Sequence, residues 1–205
     1  MTITIPDLDE HILDPDPIKQ FQHWFVDATA AQLPQYDAMT LATATPKGQV
    51  SARVVLLKQV DERGFVFYTN YNSRKGRELA ANSSAALVFL WKELNRAVRI
   101  EGKITKISAE ESDAYFATRP RESQLSSLTS HQSEVVPSRE YIDKQFDDLR
   151  AQYEGKPIPR PAHWGGYRVT PHAIEFWQHR FARLNDRVLY ELQTGGVWTM
   201  KRLSP

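Results

Sequence analysis

The segment with the clearest chemical potential contains a phenol, a guanidinium and a hydroxyl at intervals of four residues. These groups belong to Tyr115, Arg119 and Ser123 in the sequence YFATRPRESQ. On a helix, a spacing of four places side chains on one face. An arginine binds phosphate through two parallel hydrogen bonds, and neutral hydroxyls donate further ones. The spacing therefore indicates a phosphate site, with an ordinary charged junction between two surface helices as the alternative.

Two other segments combine basic residues with strands or helix starts. Arg53 and Lys58 bracket the apolar sequence RVVLLK, and their spacing directs them to opposite faces of a regular strand unless a bulge intervenes. Arg74 and Lys75 follow YTNYNS at the start of a predicted helix, where a positive charge is unfavourable unless it holds an anion. Both segments are candidate anion sites, and charged ends of ordinary elements are the alternative.

A fourth segment, FWQHRFARLNDR, places Trp177, Arg183 and Arg187 around a polar loop between two predicted strands. The glycine-rich sequences of Rossmann and P-loop nucleotide sites are absent from the chain. No HExxH motif or tight histidine cluster predicts a metal site. The basic residues therefore matter locally or not at all.

Composition excludes several classes of protein. The chain has 205 residues with a net charge of +1, which does not favour a broad nucleic-acid or membrane surface. It contains no cysteine, so disulfides and thiolate catalysis are excluded. The acidic start MTITIPDLDEH does not resemble a signal peptide, and no apolar run approaches the about 20 residues that span a bilayer. We expect a cytoplasmic protein.

Local signals predict five helices. Asp16 precedes a helix that begins at Pro17, and Ser73 precedes one that runs to about residue 82. Ser108 and Glu111 form a capping box for a third helix that ends near residue 118. A fourth helix is predicted to begin at Pro120, because proline disfavours helical geometry at the preceding residue, and a fifth to follow Ser138.

Alternating apolar and β-branched residues predict strands between these helices. The predicted strands cover residues 39–45, 51–60, 65–70, 85–91, 96–108, 166–178, 187–193 and 197–203. Their succession predicts a mainly β protein with inserted helices, folded as an antiparallel split or closed barrel. We expect residues 1–15 to form a flexible segment and residues 16–205 to form a single domain.

Taken in order, six segments resemble the pyridoxine (pyridoxamine) 5′-phosphate oxidase family of FMN enzymes. They are RVVLLK, FYTNYNSRKG, YFATRPRESQ, SHQS, FWQ and RLNDR, and their spacing is close to that of the family. The resemblance extends from Asp16 to the C-terminal RLSP. It implies a homodimer with a split β-barrel fold and one FMN per subunit, held at the dimer interface.

The resemblance also implies roles for individual residues. Lys58, Tyr115, Arg119 and Ser123 match positions that hold the substrate phosphate. Arg183 matches an arginine over the substrate ring, and Asn185 occupies the neighbouring catalytic and substrate-binding position. The positions that match FMN-binding residues are Arg53, Val54, Val55, Leu56, Leu57, Lys58, Tyr68, Thr69, Arg74, Lys75, Gln132, Ser133, Trp177 and Arg187.

The implied reaction oxidises the C4′ carbon of pyridoxine or pyridoxamine 5′-phosphate and gives pyridoxal 5′-phosphate. FMN accepts the hydride, dioxygen becomes hydrogen peroxide, and the amine substrate releases ammonia after hydrolysis of an imine. The cofactor carries this chemistry, while the protein supplies position and charge.

The sequence departs from the family at several points. Asn185 replaces the usual histidine, Ala97 replaces a glutamine that touches the flavin, and residues 179–182 form a bulkier, more basic segment. The family's N-terminal covering segment has no recognisable counterpart in residues 1–15. Two other functions are therefore considered: a related flavin oxidase acting on another aromatic substrate such as a phenazine precursor, and a non-catalytic protein that binds FMN or pyridoxal phosphate.

Overall fold

The chain forms one antiparallel sheet with helices inserted between its strands. The structure is a computed structural model, and it describes residues 8–205. Every strand pairing in the described sheet is antiparallel. The strands are β1 (Ala38–Ala44), β2 (Val50–Leu56), β3 (Gln59–Asp61), β4 (Gly64–Asn70), β5 (Ser84–Trp91), β6 (Arg96–Lys106), β7 (Trp164–Gln178), β8 (Asp186–Leu192) and β9 (Trp198–Arg202).

The sheet curls, and the chain connection between β2 and β3 joins its two edges. Its order is β2-β1-β5-β6-β7-β4-β3, so these two consecutive strands form its two edges. Between them, the backbone N–H of Leu57 donates to the Asp37 carbonyl, and that of Lys58 donates to the Val66 carbonyl. The chain therefore stops pairing with β1 and begins to pair with β4 within two residues. The predicted single strand 51–60 is wrong in this respect, because no local signal marks the exchange of neighbours.

The long strand β7 connects the barrel strands to the last two strands of the chain, β8 and β9. It pairs with β4 and β6, and its C-terminal half also pairs with β8, which in turn pairs with β9. The register with β6 shifts between Glu101 and Gly102. A Cβ on Gly102 would lie 2.4 Å from the Thr170 carbonyl oxygen, so this close approach requires glycine. The predicted split-barrel fold is confirmed.

The helices begin where the capping signals predicted. Asp16, Ser73, Ser108 and Ser138 each accept a backbone N–H at a helix start, and the capping box of Ser108 and Glu111 is complete. None of the helices within residues 8–205 combines the length and apolar character needed to cross a membrane. The helices are α1 (Pro17–Ala30), α2 (Arg74–Ala81), α3 (Ala109–Thr118), α4 (Arg121–Thr129) and α5 (Arg139–Gln152).

The core divides into two clusters, and the smaller one supports the functional site. The larger fills the barrel and includes Phe21 of α1 with Phe65 and Phe89 of the sheet. The smaller lies under α3 and α4 and consists of Phe116, Leu125, Ile158 and Trp164. Burial of these aromatic and aliphatic side chains fixes the two helices against the barrel wall.

The predicted segment 1–15 lies partly outside the described residues. From Leu8 onward, this segment contacts the C-terminal strands. Leu8 is buried, its carbonyl accepts from Arg202 at 2.9 Å, and the Tyr190 hydroxyl donates to the Asp14 carbonyl at 2.8 Å. The division into a segment 1–15 and a domain 16–205 stays a prediction.

Candidate functional site

A cavity of about 410 Å³ opens between the barrel wall and helices α3 and α4. It collects side chains from β2, β4, α2, α3, α4 and the loop after α4. Pro120 and Trp164 complete its lining. The predicted site residues that it brings together are Val54, Val55, Leu56, Lys58, Tyr68, Thr69, Lys75, Tyr115, Arg119, Ser123 and Gln132.

Arg119 lies at the break between α3 and α4. Its backbone is extended, because the following Pro120 disfavours helical geometry there. Nη1 donates to Ser127 Oγ at 2.6 Å, and the guanidinium carbon lies 4.5 Å from the ring centroid of Trp164. Burial lowers the pKa of the Arg119 guanidinium, and no carboxylate among residues 8–205 offsets its charge. This half-buried cation is available to an anion.

Tyr115 reaches the cavity from the last turns of α3. Its ring stacks on Tyr68 of β4 at a centroid distance of 3.9 Å, and Tyr68 stacks in turn on Trp164 at 5.3 Å. Burial, together with the neighbouring Tyr115, raises the pKa of Tyr68 to about 12. The Tyr68 hydroxyl therefore stays neutral across the physiological range and is able to donate a hydrogen bond.

The remaining members of the predicted phosphate set are Lys58 and Ser123. Lys58 lies at the bend between β2 and β3, where its ammonium pairs with Asp37 at 2.8 Å. Ser123 lies in the first turn of α4, and its carbonyl accepts from the Ser127 hydroxyl at 3.0 Å. The four groups predicted from the opening motif and RVVLLK thus face one cavity, although α3 and α4 are separate helices.

Lys75 supplies a second unpaired cation at the opposite wall. Its ammonium donates to Gln132 Oε1 at 2.6 Å, and Thr69 Oγ1 lies 3.4 Å from the same oxygen. Burial, with a smaller effect of nearby Arg53, lowers the pKa of Lys75 to about 8. Within residues 8–205, no carboxylate pairs with this ammonium. A bound anion would raise the pKa and stabilise the charged form.

Arg53 and Arg74 converge on a buried carboxylate beside Lys75. Glu78, 6% exposed, accepts from Arg74 Nε at 2.8 Å and from Arg53 at 3.2 Å, and also from the Thr43 and Ser51 hydroxyls. Burial alone would raise the Glu78 pKa, but these hydrogen bonds lower it to about 2. Glu78 therefore stays ionised and holds both guanidiniums at the N-terminal end of α2.

Ser133 closes this cluster from the loop after α4. Its Oγ accepts from the Arg74 backbone N–H at 3.1 Å, and its φ of 77° is unusual for a residue other than glycine. The loop is therefore held against the start of α2, although Arg53, Arg74 and Ser133 do not line the cavity. Leu57 does not line it either, since its side chain is buried in the larger core.

Trp177 and Arg187 face a different part of the sheet. They are cross-strand partners on β7 and β8. Arg187 Nε donates to buried Glu175 at 2.7 Å, and Glu175 also pairs with Arg99 at 2.8 Å. Trp177 and Ala97 line a separate apolar recess of about 300 Å³. A single chain therefore does not bring these two residues into the cavity that holds Arg119.

The loop between β7 and β8 carries Arg183 and Asn185. Ala182 and Arg183 have φ values of 56° and 63°, and Phe181 at the tip is 94% exposed. At the base, Asn185 Oδ1 accepts from the Arg180 backbone N–H at 3.0 Å, and Arg180 pairs with Asp186 at 2.5 Å. Asn185 thus braces the loop, and Arg183 projects from it outside the cavity.

Sequence reasoning missed three residues that organise these sites. Glu78 follows Arg74 by four residues on one helix, so the spacing was a usable signal. Glu175 and Trp164 gave no local signal, because their partners are distant in sequence. Chemically, the cavity offers two cations that have no carboxylate partner among the described residues, a third that is paired with Asp37, neutral hydroxyls and aromatic faces. This combination suits a phosphorylated aromatic compound.

Comparisons with known proteins identify the family of the chain. The family model described as pyridoxamine 5′-phosphate oxidase matches residues 25–153. The model described as the pyridoxine 5′-phosphate oxidase C-terminal dimerisation region matches residues 164–205. A pyridoxine/pyridoxamine 5′-phosphate oxidase from a Nostoc species is 56% identical over 202 residues, which cover 98% of this chain and 94% of that protein.

Two solved structures have similar folds. PhzG from Burkholderia lata 383, in complex with tetrahydrophenazine-1-carboxylic acid, superposes with a TM-score of 0.91 at 32% identity, covering 98% of this chain and 99% of that one. A pyridoxamine 5′-phosphate oxidase-related, FMN binding protein from Nostoc punctiforme gives a TM-score of 0.76 at 16% identity, covering 94% and 100%. The second likeness supports the fold alone.

Proposed function

Because this chain belongs to the pyridoxamine 5′-phosphate oxidase family of oxidoreductases, we propose that it produces pyridoxal 5′-phosphate. Its substrates are pyridoxine 5′-phosphate and pyridoxamine 5′-phosphate, with FMN as cofactor. The alcohol and dioxygen give the aldehyde and hydrogen peroxide. The amine, dioxygen and water give the aldehyde, hydrogen peroxide and ammonia.

The observation that carries this proposal is the pairing of Arg119 with aromatic and hydroxyl groups in one cavity. Arg119 is half-buried, and among residues 8–205 no carboxylate neutralises it. Tyr115 and Ser123 line the same cavity. A charged guanidinium in such surroundings is stabilised by an anion, and phosphate geometry matches its fork. These residues bind the substrate phosphate in the proposed function.

The cluster around α2 fits the phosphate of FMN. Lys75 is an uncompensated cation, and its lowered pKa reflects burial without a counter-charge. Arg53 and Arg74 are already held by Glu78, and Gln132 and Ser133 approach from the loop after α4. Two of the three positive charges thus remain after Glu78 is counted, which equals the charge of a phosphate dianion.

When bound, FMN supplies the hydride acceptor for the oxidation at C4′. The protein's own residues bind and orient the substrate. Lys58, Tyr115 and Arg119 hold the phosphate, so the substrate ring is directed into the cavity. Arg183 and Asn185 lie on the loop outside the cavity of their own chain, and we infer that they serve the site of the partner subunit in a homodimer. Positioning of this kind accounts for a large share of catalysis.

A second candidate is a flavin oxidase for another aromatic substrate. The observation that favours it is the similarity to PhzG in complex with tetrahydrophenazine-1-carboxylic acid. That compound carries a carboxylate, which Arg119 could also bind. The identity to PhzG is 32%, compared with 56% to the Nostoc oxidase. The phosphorylated substrate is therefore the better supported proposal.

Oxygen uptake and peroxide formation test the proposal directly. We expect the FMN-loaded protein to oxidise pyridoxine 5′-phosphate and pyridoxamine 5′-phosphate, but not unphosphorylated pyridoxine. Arg119→Ala should raise the KM by about 10- to 100-fold, because it removes charge-assisted hydrogen bonds worth roughly 1.5–3 kcal/mol. Its flavin content should be unchanged, since Arg119 is assigned to the substrate.

Arg77→Ala provides a matched control, because Arg77 is an exposed arginine that donates to the Asn72 carbonyl and does not line the cavity. Equal rates with phosphorylated and unphosphorylated substrates would refute the substrate assignment. Loss of flavin in Arg119→Ala with an unchanged KM would show that the two phosphate sites had been exchanged. Binding of FMN and pyridoxal 5′-phosphate without any turnover would support a non-catalytic binding protein.

A further inference from the structure

We propose that Trp164 is the positioning residue that holds Arg119 and Tyr115 in the geometry needed to bind a phosphate. The inference rests on the proposed function of this cavity and extends it to a residue outside the sequence motifs. Trp164 begins β7 and is 7% exposed. It belongs to the smaller core cluster and also lines the cavity.

The Arg119 side chain has few hydrogen bonds to fix it. Arg119 lies between two helices, and the only hydrogen bond of its guanidinium within the described residues joins Nη1 to Ser127 Oγ. A single bond does not fix the plane of a guanidinium on a long side chain. The indole of Trp164, 4.5 Å from the guanidinium carbon, supplies a flat surface with a favourable cation–π contact.

The same indole supports Tyr115 through the ring of Tyr68, which stacks on both. The indole and the Tyr115 ring are parallel within 4° at a centroid distance of 6.3 Å, and Tyr68 stacks against both at smaller distances. The two donors assigned to one phosphate therefore share a platform. A change in the indole would move the guanidinium and the phenol together.

The platform itself is rigid. The Trp164 carbonyl accepts from Arg160 Nη1 at 2.7 Å, and Arg160 pairs with Asp113 of α3 at 2.6 Å. Phe116 of α3 contacts the indole edge-on at 5.2 Å. These contacts anchor Trp164 to the helix that carries Tyr115. Trp164 is thus held at a fixed place between β7 and α3, next to both phosphate donors.

The proposal is tested by binding of inorganic phosphate to the FMN-loaded protein, together with steady-state kinetics. Trp164→Leu should weaken phosphate binding and raise the KM for pyridoxine 5′-phosphate by about 3- to 30-fold, with kcat changed less than about twofold. Trp164→Phe retains an aromatic face and should recover most of the loss. Ser127→Ala should weaken phosphate binding by about two- to tenfold and gives a milder second variant.

A double-mutant cycle separates positioning from general damage. In an Arg119→Ala background, Trp164→Leu should weaken phosphate binding clearly less than it does in the parent, because only Tyr115 is left to be positioned. Trp24→Leu is the matched control. Trp24 is 4% exposed, carries Arg96 at 4.4 Å from its ring, and lies outside the cavity. It should lower the Tm without weakening phosphate binding.

Three results would overturn the proposal. One is an equal effect of Trp164→Leu in both Arg119 backgrounds, and another is a fall in kcat without a change in KM. The third is a similar loss of phosphate affinity in Trp24→Leu. If Trp164→Leu does not fold, Trp164→Met, which also lacks a flat aromatic face, must show weaker phosphate binding and coupling to Arg119, and the absence of that coupling refutes the proposal. A parent protein that binds phosphate through this pair but oxidises no substrate would refute the proposed function alone.

Discussion

Replacement of Asn185 shows whether this residue only holds the loop in place or takes part in the reaction. Asn185 Oδ1 accepts from the Arg180 backbone N–H, and this bond closes the loop that presents Arg183. Asn185→Leu has a similar branched shape but cannot accept the bond, whereas Asn185→Asp retains an acceptor. Asn185→His introduces a group that titrates near neutral pH. Asn185→Leu and Asn185→Asp therefore test the hydrogen bond that holds the loop, and Asn185→His tests the effect of a titratable group.

The structure sets the size of the expected effects. One neutral, partly buried hydrogen bond contributes about 0.5–1.5 kcal/mol, which corresponds to roughly two- to tenfold in kcat/KM if catalysis needs the closed loop. The loop tip carries Ala182 and Arg183 with left-handed φ values, and such residues cost roughly 1–3 kcal/mol each. The brace helps to keep this strained tip formed. A general acid or base would instead contribute about 10²–10⁴-fold.

The assay measures kcat/KM for pyridoxine 5′-phosphate from about pH 6 to about pH 9, a range that includes the pH at which a histidine titrates. We expect an active parent, a loss of up to about tenfold for Asn185→Leu, and a smaller loss for Asn185→Asp. Asn185→His should gain less than about tenfold, and Arg183→Ala should lose more than that. The pH profile of the parent should lack a histidine-like inflection that Asn185→His introduces.

Undetectable turnover in the parent, rescued by Asn185→His to an ordinary oxidase rate, would refute the bracing role. The residue at position 185 would then be chemical, and the parent would be a binding protein. An unchanged kcat/KM in Asn185→Leu would refute the importance of the Arg180 hydrogen bond. Urea unfolding of each variant controls for a change in the free energy of unfolding.

Three further outcomes are expected. Because burial lowers the pKa of Lys75 to about 8 in the flavin-free protein, and the bound phosphate raises it, FMN affinity should fall above pH 8 by up to about tenfold per pH unit. Lys75→Arg should flatten this dependence in flavin fluorescence titrations, and a flat profile for the parent would contradict the assignment. Glu175→Gln should cost about 1.5–3 kcal/mol in urea unfolding, because it removes a buried partner of Arg187 and Arg99. Light scattering should give twice the 23.6 kDa of one chain, and a flavin-bound monomer would contradict the homodimer.

The sequence predicted those elements whose signals are local. Ser108 and Glu111 identify a helix start because each bonds the backbone of the other within one turn. Pro120 identifies the break between α3 and α4 because it restricts the residue before it. Strands β1 and β4 followed from alternation and turns. By contrast, the exchange of partners at Lys58 divided one predicted strand into β2 and β3, because it depends on which distant strands are available.

For the candidate site too, some features could be predicted from the sequence and others depend on the tertiary structure. The residue types were sufficient to select Tyr115, Arg119 and Ser123 as candidate phosphate donors, since these chemical groups are visible in the sequence, although they do not share one helix. Only the tertiary structure brought them to the same cavity as Lys75, placed Glu78 between two arginines, and put Trp164 beneath Arg119. Burial and charge balance arise from residues that are distant along the chain. Their contacts are therefore decided by how the barrel closes and how the helices pack on it.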